Sequence, residues 1–229
     1  MFFAFGQERG GAIAELLSES GIAADFPVYM DGACRVFTQL FTSDEHLWGD
    51  GEHAFKIKGV RMIKDWKERL RIAKSGKPYV IIAAPGMGGP GGVSGAFWRQ
   101  QNLPNRDSLV AFSGFVAPGT DGHQILAKAA ARASRGGTPA LALVETSREN
   151  PEPHTVAMML RAQIDQYRIG GHNNRERTLK WFEEMSPQIV ILTHGDQAAI
   201  DQVQAHLDTL GIQSVRADET PSVTLTLED

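Results

Sequence analysis

Two of the seven histidines stand where a side chain could do chemistry. His172, in Gly170-Gly171-His172-Asn173-Asn174, comes just before a segment of helical pattern, where an imidazole can meet a phosphate. His194, in Leu192-Thr193-His194-Gly195-Asp196, ends the apolar run Ile189-Val190-Ile191-Leu192, and metal ligands and catalytic groups commonly project from the end of a buried strand. Neutral imidazole is a common zinc ligand, and histidine is the usual proton donor or acceptor near neutral pH. A hydrogen-bonded structural role is the competing reading for either one.

Two glycine-rich corners form a second kind of candidate. Ala84-Pro85-Gly86-Met87-Gly88-Gly89-Pro90-Gly91-Gly92 follows an apolar run and precedes a helical segment. Glycines there let backbone N–H groups approach an anion, and a helix N-terminus adds partial positive charge. No G-K-[ST] follows, and no G-x-G-x-x-G is present, so neither phosphate-binding fingerprint applies. A tight turn accounts for the glycines equally well. The second corner is Ala117-Pro118-Gly119-Thr120-Asp121-Gly122-His123, where Thr120 or Asp121 can cap the following helix. If both corners follow strands of one doubly wound sheet, they face a common crevice. The two glycine corners could then line one cleft.

A third feature is electrostatic. Nine of the 23 Lys and Arg residues lie between Lys56 and Lys77, opposed there only by Asp65 and Glu68. Lys64, Lys67 and Arg71 lie on its helical part and could follow a phosphate backbone. A solvated helix face is the alternative.

Composition narrows the classes. The 229 residues carry a net charge of −4 with pI near 6.0, which argues against coating nucleic acid by bulk charge. The chain is long enough to bury a core unaided. The single cysteine, Cys34, excludes a disulfide framework and a multi-cysteine metal site, reads as packing, and fits a reducing, cytoplasmic setting. No apolar run approaches the ~20 residues of a membrane span, and the start lacks the features of a signal peptide. Zinc-protease and serine-hydrolase signatures are absent.

These groups must be positioned by alternating strands and helices. Apolar runs at Phe2–Phe5, Pro27–Met30, Tyr79–Ala83, Leu109–Phe112 and Ala140–Val144 predict strands. Between them, helical periodicity is predicted at 9–20 (Ile13, Leu16 and Leu17 inward), 33–42 (Val36, Phe37, Leu40 and Phe41 inward), 62–74 (from Met62) and 121–133. The alternation predicts an α/β fold with a mainly parallel, Rossmann-like sheet covered on both sides. Glu149-Asn150-Pro151-Glu152-Pro153 breaks the rhythm and predicts a boundary, giving parts 1–150 and 151–229. Beyond it come a one-sided strand at 160–167, a helix at 175–185, a buried strand at 189–192, a helix at 198–210 with Leu210 inward, and strands near 213–215 and 223–227.

Taken in order, these pieces resemble the β-CASP branch of the metallo-β-lactamase-fold nucleases. Phe3-Ala4-Phe5-Gly6-Gln7-Glu8-Arg9 is similar to the opening of the β-CASP domain, and Phe26-Pro27-Val28-Tyr29-Met30-Asp31 to its P-V-Y-x-D segment. Tyr79–Met87 resembles I-I-A-S-S-G-M, and Ser113–Gly122 resembles G-Y-x-A-x-G-T-x-G. Gly171-His172-Asn173-Asn174 falls at the family's motif B and Thr193-His194-Gly195-Asp196 at motif C.

The resemblance implies hydrolysis of RNA, or single-stranded DNA, at a two-zinc centre, where metals activate water and neutralise phosphate charge. It implies that His194 ligates zinc, that His172 touches the scissile phosphate or protonates the leaving group, and that Gly86 and Met87 lie on the phosphate path. The family's H-x-H-x-D-H segment, which supplies most metal ligands, belongs before Phe2 and is not in this sequence. Pro85 replaces a serine, Asn174 the motif B aspartate, and His123 an arginine. One histidine cannot hold a catalytic zinc that needs about three protein ligands. The expectation is therefore a C-terminal β-CASP part with the returning segment of the lactamase-like domain, active only with its missing half. The rival is a non-catalytic RNA-binding or assembly subunit. Strands after Pro153 are expected to lack a sheet to pack on, so a partner chain or self-association is predicted.

Overall fold

The structure, a computed structural model, describes residues 1–43, 56–89, 93–145, 152–167, 169, 174–193 and 195–217. The chain forms two compact units, Met1–Gly171 and His172–Asp229.

The first unit runs β1 (Phe2–Phe3), α1 (Arg9–Glu19), α2 (Ile22–Asp25), β2 (Val28–Asp31), α3 (Gly32–Ser43), β3 (Val60–Met62), α4 (Trp66–Ala73), β4 (Val80–Ala83), α5 (Val93–Asn102), β5 (Leu109–Phe112), α6 (Asp121–Arg135), β6 (Ala140–Glu145), β7 (His154–Met159) and β8 (Gln163–Gln166). Six of these strands form one parallel sheet in the order β3-β2-β4-β1-β5-β8. The predicted α/β class with a parallel sheet is what the chain adopts.

The period of two along each strand sorts the apolar residues between two layers. Ala4, Val28, Met30 and Ile82 pack with Ile13, Ala14 and Leu17 of α1 and Cys34 of α3. Phe3, Tyr29, Ile81, Ala83, Val110 and Phe112 pack with Ile72 of α4, Phe97 and Trp98 of α5, and Ile125 of α6. Both faces are covered, which is why these strands are apolar without interruption.

Several expectations are corrected. Leu16 points to solvent, while Ile13 and Leu17 face inward as expected. In α3, Val36 and Leu40 are exposed, and Cys34 and Thr38 are buried instead. That helix starts directly after β2, and the contact of Cys34 Sγ with the Ala4 carbonyl (3.6 Å) sets its rotation. Met62 belongs to β3, held by pairing with β2, and the helix begins only after Asp65, whose Oδ1 accepts from Glu68 N–H (2.9 Å). A short apolar run has no decisive period, so edge pairing and the cap decide. β6 leaves the parallel sheet and forms an antiparallel hairpin with β7, while β8 joins the main sheet beside β5. The strands on either side of residue 160 thus find partners inside the first unit. The proline-rich break at 149–153 falls between the paired strands β6 and β7.

The second unit contains α7 (Arg175–Met185), β9 (Ile189–Leu192), α8 (Gln197–Thr209) and β10 (Gln213–Arg216). β9 and β10 pair in parallel, and Phe182, Leu207 and Ile212 form the core. β9 is half-buried rather than buried, and Leu210, at the C-terminal cap of α8, is exposed. The strand expected near 223–227 lies outside the described residues.

The carboxylate of Asp31, 1% exposed at the end of β2, ties three elements together. It accepts from Arg69 Nε (2.6 Å) and Nη2 (2.9 Å) on α4, Trp98 Nε1 (2.7 Å) on α5, and Gly32 N–H (2.7 Å). Asp31→Ala should cost toward the lower end of ~3–5 kcal/mol, since Arg69 keeps some access to water, measured as a lowered urea midpoint. A pH effect follows from Cys34, whose thiol is pushed by burial from an ordinary 9.0 to about 12. Between those values the unfolded chain loses a proton that the folded chain keeps. Stability should therefore fall as pH rises from 9.0 towards about 12, with the contribution fully present below 9.0. Urea midpoints measured against pH should fall less steeply above pH 9.0 in Cys34→Ala than in the parent chain, where the buried Tyr79 phenol, also shifted up, adds to the slope.

Candidate nucleic-acid interface

Parallel strands bring every strand's carboxyl end to one edge, and a crevice forms where the chain reverses its direction of winding. Here that place is around β1, which lies between β4 and β5, with β2 and β3 added on the β4 side. The loops after β1, β4 and β5 therefore converge.

The loop after β4 turns sharply, with Gly88 N–H donating to the Pro85 carbonyl (3.0 Å). A Cβ on Gly86 would stand 2.6 Å from the ring of Phe5, so the loops after β1 and β4 touch here. The loop after β5 ends in the cap of α6. Thr120 Oγ1 donates to the Ala117 carbonyl (2.7 Å) and accepts from His123 N–H (3.3 Å), as the capping reading requires. Gly122 N–H then donates to the Met87 carbonyl at 2.9 Å. A Cβ on Gly122 would stand 2.4 Å from that oxygen, so glycine is needed for the two loops to meet. The structure thus brings the Met87 and Thr120 loops together.

Charge enters from two arginines that were not among the sequence candidates. Arg9, in the first turn of α1, lies 5.3 Å from the centroid of the Phe5 ring. A Cβ on Gly114 would stand 1.9 Å from its Nη1, which places the guanidinium against the loop after β5. Among the described residues no carboxylate pairs with Arg9. The signal for it was its place just after a strand, within the first family-like segment. Arg99 of α5 is wholly buried. Its Nη1 donates to the Gly88 carbonyl (2.5 Å) and Asp121 Oδ2 (2.7 Å), and its Nη2 donates to the Val144 carbonyl (2.5 Å) and faces Glu145 Oε1 (3.4 Å). Asp121 also accepts from Val144 N–H (3.1 Å). Nothing in the sequence marks Arg99 as buried, because an arginine on a helix reads as surface.

The basic stripe is sorted by the fold. Arg69 is consumed by Asp31. Lys64 and Lys67 are exposed, the former at the same edge as the glycine loops, two strand spacings (~10 Å) from β4. Arg71 is exposed and pairs loosely with Glu68 (3.4 Å), on a helix that leads away from that edge.

His172 and His194 lie outside the described residues. Their neighbours act as helix caps: Asn174 Oδ1 accepts from Arg177 N–H (2.8 Å), and Asp196 Oδ1 from Ala199 N–H (2.8 Å). Asn174's carbonyl oxygen is therefore engaged by its own helix. Among the described residues no group of three His, Cys, Asp or Glu side chains is disposed to hold a metal ion, so these residues do not fit a zinc centre. Nor is any helix among them long and apolar enough to cross a membrane.

A family model described as the Beta-Casp domain matches residues 12–125, and one described as the Zn-dependent metallo-hydrolase RNA specificity domain matches residues 157–217. The chain belongs to the β-CASP family of the metallo-β-lactamase fold. Curated relatives carry the name transcription termination factor FttA. The protein of Methanocaldococcus jannaschii is 22% identical over 85% of this chain, and that of Pyrococcus abyssi 27% identical over 76%. This chain spans only 30% and 26% of their respective lengths. The β-CASP match begins within α1 and ends within α6, so it takes in both glycine loops. The second match contains both candidate histidines.

Gly122→Ala should separate the two loops by displacing the Met87 carbonyl. We expect a loss of ~1–3 kcal/mol from overpacking, read as a lower melting temperature.

Proposed function

We propose that this chain is the β-CASP and returning C-terminal portion of a zinc-dependent nuclease that hydrolyses phosphodiester bonds of RNA. The observation that carries the reading is the junction of the Met87 and Thr120 loops beside Arg9, a backbone-lined, cationic corner at the carboxyl edge of a parallel sheet. Such a corner suits a phosphate chain. The description of the second matching family as an RNA specificity domain supports RNA as the substrate class, with single-stranded DNA as the runner-up.

In this reading residues 1–150 form the β-CASP portion and 151–229 the returning one, the junction lying between the two matched spans. Gly86, Met87, Gly119 and Thr120 line the phosphate path, with Lys64, Lys67 and Arg71 as outlying cations. His172 meets the scissile phosphate, and His194 is the one zinc ligand this portion contributes. The remaining ligands come from a lactamase-like half with H-x-H-x-D-H, supplied by another chain or another segment. The lone, buried thiol of Cys34 supports a reducing, cytoplasmic setting.

Mixing the chain with a half that carries H-x-H-x-D-H should restore RNA cleavage, measured on a labelled single-stranded oligonucleotide. His194→Ala should abolish it, and His172→Ala should slow it ~10²–10⁴-fold. Restored cleavage that ignores His194→Ala would remove the assigned role.

A second reading, RNA binding without cleavage, is favoured by Pro85 in place of a serine and by Asn174 spending its oxygen on a cap. It expects single-stranded RNA binding with no cleavage under any metal. Neutralising Lys64, Lys67 and Arg71 should then flatten the salt dependence by ~0.7 in slope for each phosphate that is no longer neutralised.

A further inference from the structure

The first unit has a cavity of about 320 Å³ at the opposite edge of the sheet from the glycine loops. Its walls come from the segments entering β2 and β4, which are joined by the bond from Val80 N–H to the Pro27 carbonyl (2.9 Å), and from β3 and α4. Three cationic side chains, Arg61, Arg71 and Lys77, line it, together with Tyr29, Tyr79 and Ser75. No Asp or Glu is among its described lining residues, in a chain whose net charge is −4, although Arg71 pairs loosely with Glu68 (3.4 Å). Arg61 and Lys77 are exposed and have no carboxylate partner among the described residues.

The aromatic wall is fixed. The Tyr79 ring packs against Trp98 with centroids 5.7 Å apart. Tyr29 is nearly buried in the same core. Three members of the basic stripe that the sequence singled out are thus gathered around a preformed, partly apolar hollow, away from the glycine-loop corner. The volume is at the low end for small-molecule pockets, ~300–1,000 Å³, and suits one nucleotide rather than a longer ligand.

We propose that this cavity binds a single nucleoside monophosphate unit, its phosphate held by Arg61, Arg71 and Lys77 and its base laid on the tyrosine wall. Clustered guanidinium and ammonium groups pair with phosphate oxygens, and an aromatic wall accepts any base. The unit is either a free nucleotide or one residue of a single-stranded RNA, and the two share this chemistry. The site stands apart from the glycine-loop corner; only Arg71 also figures in the nuclease reading, as an outlying cation, and the variants below leave Arg71 intact.

Calorimetric titration of the full chain with AMP, adenosine and inorganic phosphate at low salt tests this. AMP should bind more tightly than either fragment, and Arg61→Gln/Lys77→Gln should weaken it about tenfold or more. Arg61→Lys/Lys77→Arg should retain binding, which separates charge from folding. Displacement of AMP by an RNA oligonucleotide assigns the unit to RNA, and its persistence assigns it to a free nucleotide. The proposal is overturned if AMP does not bind at millimolar concentration, if the glutamine variant binds it as the parent does, or if phosphate alone binds as tightly. Lys64 and Lys67 are intact in these variants, so loss of AMP binding with oligonucleotide binding preserved leaves the RNA reading standing.

Discussion

The guanidinium of Arg99 is a full charge placed where no water reaches it, and the shape of the glycine-loop corner depends on how that charge is satisfied. It is shared among the Gly88 carbonyl, the Asp121 and Glu145 carboxylates and the Val144 carbonyl, so one side chain fastens the loop after β4, the start of α6 and the end of β6. Desolvating an arginine and two carboxylates offsets most of their mutual attraction, so the cluster adds little net stability. Its effect is geometric. The bonds have fixed directions, whereas apolar packing would let the loops slide. The residue before it, Trp98, donates to Asp31, so two consecutive positions of α5 brace opposite sides of the unit.

The electrostatics are local. A net charge of −4 spread over 229 residues says little about a ligand within ~8 Å of a surface patch, because salt screens anything more distant. What matters is which cations lie near a given feature. Arg69 is spent on Asp31, Arg9 faces the glycine loops, and Arg61, Lys77 and the loosely paired Arg71 border the hollow at the other edge. A charge run that is continuous in sequence is divided in space, since β3 and α4 run in opposite directions across the sheet.

Much of the architecture was legible from pattern. The limits of β5, α7 and β9 match their apolar or amphipathic runs, because each is bounded by residues that end it in any context. Thr120 read as a cap and is one, since capping needs only a local hydroxyl and the N–H three residues on. The errors share a cause. Val36, Leu40 and Leu16 are apolar but exposed, because a helix with apolar residues around a wide arc can bury only the part its neighbours cover. Met62 was drawn into a strand by pairing with β2, and β6 left the parallel sheet because β7 was available to it. Pairing between distant segments carries no signature in either segment alone. The histidines at 172 and 194, the most chemical of the sequence candidates, lie outside the described residues.

By itself, the order of residues determined the α/β class, the family-like segments and the glycine content of two corners, since these follow from short-range periodicity and from where a side chain is absent. Only the tertiary structure decided that those corners meet at Met87 and Gly122, that Arg99 and Asp31 are interior, and that the basic stripe serves separate places. Each of those is a relation between residues far apart in the chain, settled by which buried polar groups can satisfy one another once the sheet has formed.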